Sequence, residues 1–90
     1  MVMIKDKHII EIFLTTDQIE KIVHLDNNSL LIVWNIAWGY DIGDEFAHIT
    51  TNISPEITNC GIDFFYTNEI QKIEIRTNGK TLYDREKNML

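Results

Sequence analysis

The chain is predicted to be all-β, with room for one short helix: an antiparallel meander of six or seven strands forming a small sandwich or half-open barrel. Three observations predict it. Isoleucine is unusually abundant and is joined by Thr, Val, Phe, Tyr and Trp, while Ala and Leu are few, a composition that suits pleated, half-buried surfaces. Alternating apolar and polar residues recur in short runs separated by turn residues. One of these turns, Asn78-Gly79, is the strongest short-range hairpin signal a sequence offers. The 90 residues read as one domain, 1–90, with no repeat, linker or low-complexity tract. Size scaling gives roughly 5,500 Å² of folded surface against roughly 15,400 Å² unfolded, enough for one core. Hydrophobic residues at 44% and charged residues at 24% are ordinary globular values, which argues against disorder.

Taken in order, residues 8–15 read as a first strand with Ile10, Ile12 and Leu14 on one face. Residues 17–25 are ambiguous. Ile19, Ile22 and Val23 fit a helical stripe, and Asp17 with Glu20 imitates a capping box; Ile19, Val23 and Leu25 equally fit a strand leading into the turn Asp26-Asn27-Asn28-Ser29, which is favoured. Residues 30–38 are apolar on both faces, as in a central strand covered on both sides. Residues 45–53 turn Ala47, Ile49 and Ile53 inward and Phe46, His48, Thr50 and Asn52 outward, and Pro55 ends the strand because it has no N–H to donate. Ile62, Phe64 and Tyr66 share one face while Asp63, Phe65 and Thr67 share the other. Asn68-Glu69 offers a tight turn into Ile70, so the strands on either side of it are expected to pair. At the C-terminal end Ile73 and Ile75 alternate with Lys72, Glu74 and Arg76. A two-residue Asn78-Gly79 loop sets Thr77 opposite Lys80, Ile75 opposite Leu82, Glu74 opposite Tyr83 and Arg76 opposite Thr81. Ile32, Ile49, Phe64 and Ile73 are the expected centre of the core.

Charge is segregated along the chain. From Ile22 to Gln71 there are 50 residues without a lysine or arginine, yet they hold Asp26, Asp41, Asp44, Glu45, Glu56, Asp63 and Glu69. The flanks carry all eight basic residues and seven acidic ones, about +1, so the middle accounts for the net charge of −6. A field of one sign repels nucleic acid and anionic membranes and attracts basic partners. Residues 1–8 show no basic region followed by an apolar run, and no segment approaches 18 apolar residues, so the chain is expected to be soluble and cytoplasmic. A single cysteine, Cys60, fits a reducing compartment. The sequons at Asn27 and Asn52 read as turn chemistry.

No residue set spells a reaction. His8, His24 and His48 are far apart, with no second ligand at metal spacing, and Cys60 has no C-x-x-C partner. A Cys60/His48 nucleophile pair can be drawn, but a thiol beside Gly61 at a strand start reads as a small buried side chain. The stretch Gly39-Tyr40-Asp41-Ile42-Gly43-Asp44-Glu45 lacks the alternating ligands and terminal Glu of a calcium loop. There is no glycine-rich phosphate loop. No catalytic residue, metal or cofactor is therefore expected, and the chain does not read as an enzyme.

The middle of the chain is suited to recognition instead. Trp34, Trp38, Tyr40 and Phe46 flank the carboxylates of Asp41, Asp44 and Glu45, and interfaces favour aromatic anchors beside complementary charge. Trp34 reads as core, whereas Trp38 reads equally well as core or as interface. The expected partner-binding set is Trp38, Tyr40, Asp41, Asp44 and Glu45. The stretch from His48 to Pro55 followed by Ile62 to Ile70 resembles small bacterial immunity proteins encoded beside polymorphic or contact-dependent toxins. That resemblance implies a short, acidic, cytoplasmic protein that neutralises one toxin domain, often a basic nuclease, by tight binding. Two other classes stand beside it: an acidic mimic of nucleic acid that occupies a DNA-binding protein, and a β module that pairs through strand edges into a homodimer. Salt separates them, since charge-dominated binding weakens with ionic strength and an apolar dimer persists.

Overall fold

A computed structural model describes residues 6–86. They form one helix, α1 (Lys7–Thr15), and seven strands: β1 (Lys21–Leu25), β2 (Leu30–Val33), β3 (Ile36–Gly39), β4 (His48–Thr51), β5 (Phe64–Tyr66), β6 (Ile70–Ile75) and β7 (Thr81–Asp84). All pairings are antiparallel. One sheet has the order β2-β1-β6-β7 and the other β3-β4-β5, so the architecture is a small sandwich without a closed barrel. The core draws on both sheets and the helix: Val23, Val33, Ile70 and Ile73 from the first, Ile49 and Phe65 from the second with Ala47 of the connection before β4, and Ile9, Ile10 and Phe13 from α1.

Residues 8–15, expected as a strand, are helical. Ile9, Ile10 and Phe13 are the buried residues, a spacing that gathers on one side of a 3.6-residue repeat and on both sides of a strand. Leu14, expected on the same face as Ile10, is more than half exposed while Ile10 is buried. The β-branched composition argues for a strand only weakly, because burial of an apolar stripe overrides propensity. The Thr16 hydroxyl and amide both donate to the Ile12 carbonyl and close the helix end. The favoured strand in residues 17–25 is present over Lys21–Leu25. Ile19 lies outside it, exposed, and the buried face is Lys21, Val23 and Leu25.

Residues 30–38 do not make one central strand. They break at Trp34-Asn35 into β2 and β3, each at the edge of a different sheet. Two buried asparagines account for the break. Asn52, at φ +63°, accepts from the Trp34 N–H at 2.8 Å and donates to the carbonyls of Ile32 (3.0 Å) and Gly61 (2.7 Å). Asn35 donates to the Pro55 carbonyl at 2.9 Å and accepts from Ser54 N–H at 3.0 Å, beside the cis Ser54–Pro55 bond. These amides satisfy the backbone groups that a sheet change leaves without ladder partners. Edge placement leaves Leu30 and Ile32 exposed, so Ile32 is not core. Ile53 likewise faces solvent while Asn52 is buried, because the strand ends at Thr51 and the left-handed residue turns the chain.

The phase of β5 is the reverse of that expected. Phe65 is 2% exposed and Thr67 is buried, whereas Phe64 is 60% exposed and Ile62 is also out. Phe64 is therefore surface, not core; Ile49 and Ile73 are fully buried as expected. Nor do β5 and β6 pair. The turn Thr67–Glu69 carries the chain from one sheet to the other, and β6 pairs with β1 instead. Arg85 locks that crossing, its Nη2 donating to Asp26 Oδ1 (2.5 Å), Asn68 O (2.9 Å) and Ile70 O (2.8 Å).

The β6–β7 hairpin exists, but its register differs. Ile73 faces Tyr83 and Glu74 faces Thr81 across a bulge, and Ile75 N–H donates to Lys80 O. The loop spans residues 76–80, with only Gly79 at positive φ (+71°), so it is not a two-residue turn with both centres left-handed. The Asn78 side chain accepts from Lys80 N–H at 2.8 Å, which supports the wider loop locally. Asn27 plays the same part for Ser29 N–H in the β1–β2 turn. Cys60 is half-buried in the connection after Pro55 rather than fully enclosed.

Candidate protein-interaction site

The three-stranded sheet lies wholly within the segment that lacks lysine and arginine. Its pairs Gly39–His48, His48–Tyr66, Ala37–Thr50 and Thr50–Phe64 share one face; Ile49 and Phe65 share the other, which is buried. The outward face therefore presents an aromatic cluster. His48 stacks on Phe64 with ring centres 5.7 Å apart and planes at 22°, and Tyr66 meets Phe64 edge-on at 5.6 Å and His48 at 6.4 Å. The His48 ring lies over Gly39, where an added Cβ would meet it at 3.4 Å, an ordinary van der Waals contact.

The expected site residues divide into two groups. Asp41, Asp44 and Glu45 lie in the 40–47 loop, whose turn is closed by Asp44 N–H to Asp41 O at 3.0 Å. Ile42 at its tip is fully exposed, and Asp41 Oδ1 stands 3.9 Å from His48 Nε2. The loop thus adjoins the aromatic cluster. Trp38 pairs with Ile49 in register and so points to the opposite side of the sheet, at its edge. It meets Tyr40 edge-on at 6.1 Å, and both rings line an apolar groove of about 330 Å³ with Ile10, Leu14, Lys7 and Glu11 of α1. Trp38 and Tyr40 are partly exposed there, away from the outer face. Trp34 is half-buried.

The loop is anchored through Asp6. Its buried carboxylate accepts from Ala47 N–H at 2.7 Å, from the Thr67 hydroxyl at 2.6 Å and from the Tyr40 hydroxyl. Burial pushes the Asp6 carboxyl up, but these donors outweigh it and hold its pKa below the ordinary 3.8. The Tyr40 phenol is pushed up to about 12 by partial burial and by its bond to that carboxylate. Both ends of the 40–47 loop are therefore tied to the start of α1. Among the described residues, no lysine or arginine forms an ion pair with Asp41, Asp44, Glu56 or Asp63.

The sequence names the loop carboxylates as candidates but does not bring His48, Phe64 and Tyr66 together as a cluster. The signal available was the alternation in residues 62–67, which separates Phe64 and Tyr66 from Phe65 and Thr67 without saying which pair is outside. Among the described residues no group of three or more His, Cys, Asp or Glu side chains is placed to hold a metal ion, and no helix is long and apolar enough to cross a membrane. No family model, curated protein or solved structure matches the chain.

Proposed function

We propose that this chain is a protein-binding inhibitor of the immunity class, acting in the cytoplasm to neutralise the toxic domain of a cognate bacterial toxin, with a basic nuclease as the favoured target. The observation that carries the reading is the outer face of β3-β4-β5: exposed aromatic rings adjoining a carboxylate loop, on a sheet without a single lysine or arginine. Exposed aromatic side chains act as anchors in protein interfaces, and complementary charge speeds encounter and fixes register. Binding alone accounts for inhibition, with no catalytic step. The nucleic-acid-mimic reading asks for carboxylates strung along an edge like phosphates, whereas Asp41 and Asp44 are gathered in one tight turn. A homodimer through this face would set like carboxylates against each other.

The test starts with capture of the partner from the source cell on the immobilised chain, followed by association rates at low and high salt. Replacing Asp41, Asp44 and Glu45 by Asn, Asn and Gln keeps their shape. Association of this variant is expected to slow by about tenfold and to lose much of its salt dependence, with an unchanged melting temperature. An unchanged rate and salt slope would remove this loop from the interface and move attention to Glu56 and Asp63.

A further inference from the structure

Phe64 is 60% exposed although it stands in a paired strand. His48 lies nearly parallel to one of its faces and Tyr66 closes one side nearly at a right angle (87°), so the ring is held by its neighbours and its remaining face is presented in a fixed orientation. The face of an aromatic ring carries partial negative charge and attracts a cation within about 6 Å of its centre. Asp41 stands at the rim of the cluster, beside His48. The chain supplies no lysine or arginine between residues 22 and 71 to occupy this corner.

We infer that this corner of the three-stranded sheet receives one arginine side chain of a basic protein partner, its guanidinium flat on the face of Phe64 that His48 leaves open, with the Asp41 carboxylate beyond His48 adding attraction at longer range. The inference rests on the protein-binding reading above and names the group recognised. Arginine fits better than lysine because a planar, weakly hydrated guanidinium stacks flat on an aromatic face, whereas an ammonium is a compact, strongly hydrated charge. A second copy of this chain is a poor occupant, since a net charge of −6 opposes self-association through an acidic rim. A wholly apolar partner would bury the Asp41 carboxylate without a counter-charge.

The experiment titrates the isolated chain with three probes, the N-acetyl methylamides of arginine, lysine and citrulline, and follows backbone amide shifts by NMR. Citrulline keeps the length and planar head of arginine without the charge. Saturable shifts are expected at residues 41, 48, 64 and 66, with arginine tightest and citrulline weakest. Phe64→Leu keeps an apolar side chain at an exposed position and is expected to weaken arginine binding by about two- to fivefold, and Phe64→Tyr to restore it. Equal responses to arginine and citrulline, or arginine shifts spread over all the carboxylates and indifferent to Phe64→Leu, would overturn the inference. The two readings fail separately. A partner whose association depends on Asp41, Asp44 and Glu45, with no arginine preference at Phe64, keeps the inhibitor reading and sinks this one. Arginine selectivity in a chain whose triple variant associates unchanged keeps this one and removes the loop from the interface.

Discussion

The two sheets handle charge in opposite ways. On the four-stranded sheet and its connections the charges answer one another: Arg76 pairs with Glu20, Arg85 with Asp26 at 2.5 Å, and Glu74 lies between His24 at 2.9 Å and Lys72 at 3.6 Å. The hydrogen bond from His24 holds the Glu74 carboxyl below its ordinary value against partial burial, and the Lys72 charge adds to this. Lys21 is satisfied there as well, its buried ammonium donating to the carbonyls of Thr16 and Ile19, both at 2.6 Å. The three-stranded sheet and its connections have carboxylates, aromatic rings and one histidine, His48, but no lysine or arginine. A region whose charges are matched internally has little to offer a partner. A region of one sign is complete only against something of the other sign.

The largest effects should come from side chains that hold the two sheets together rather than from either surface. Phe65→Ala is expected to cost roughly 3–5 kcal/mol, and its neighbour Phe64→Ala within about 0.5 kcal/mol of nothing, measured by denaturant midpoints. Equal losses would mean that β5 is not one-sided and that its aromatic face is structural.

Asp6→Asn tests the anchor of the acidic loop. An amide is a poorer acceptor for three donors, and the expected cost is about 1.5–3 kcal/mol at neutral pH. Since Asp6 titrates below 3.8 in the folded chain, the folded state binds fewer protons than the unfolded one just below that pH. Its contribution is therefore full above 3.8 and is lost as pH falls through the lower, folded value. The gap between wild type and variant should close on acidification. A gap that stays constant from pH 6 to 2 would show that the carboxylate charge is not what Tyr40, Thr67 and Ala47 require.

On the four-stranded sheet, Gly79→Ala adds a Cβ that meets nothing within 4 Å, so its cost is purely that of a left-handed residue at φ +71°. Thermal melts should show about 1–2 kcal/mol. No loss would mean the loop relaxes to another turn.

The smallest effect is the most direct contrast of the sheets. Arg76→Ala removes a half-exposed ion pair and should cost roughly 0.2–1 kcal/mol, less at high salt. The triple replacement of Asp41, Asp44 and Glu45, by contrast, should leave the melting temperature unchanged or slightly raised, because repulsion is relieved. A marked loss of stability in the triple variant would show that the contacts these carboxylates make within the molecule, such as that of Asp44 Oδ2 with the Asp41 N–H, hold the loop.

By itself the sequence determined the all-β class, the existence of the C-terminal hairpin, the burial of Ile49 and Ile73, and the division of charge that places every lysine and arginine off the three-stranded sheet. Composition, turn residues and charge runs are local properties and survive in any compact arrangement. The helix over Lys7–Thr15, the break at Trp34-Asn35, the outward phase of Phe64 and the hairpin register were decided only by tertiary structure. Where apolar residues occupy both faces, as in residues 30–38 and 62–67, alternation shows that two faces exist and not which is inward. That choice falls to long-range partners: Asn52 and Asn35 turn the chain between sheets, and β4 pairs with β5 so that Phe65 joins Ile49 in the core and Phe64 is left with His48 and Tyr66 on the surface.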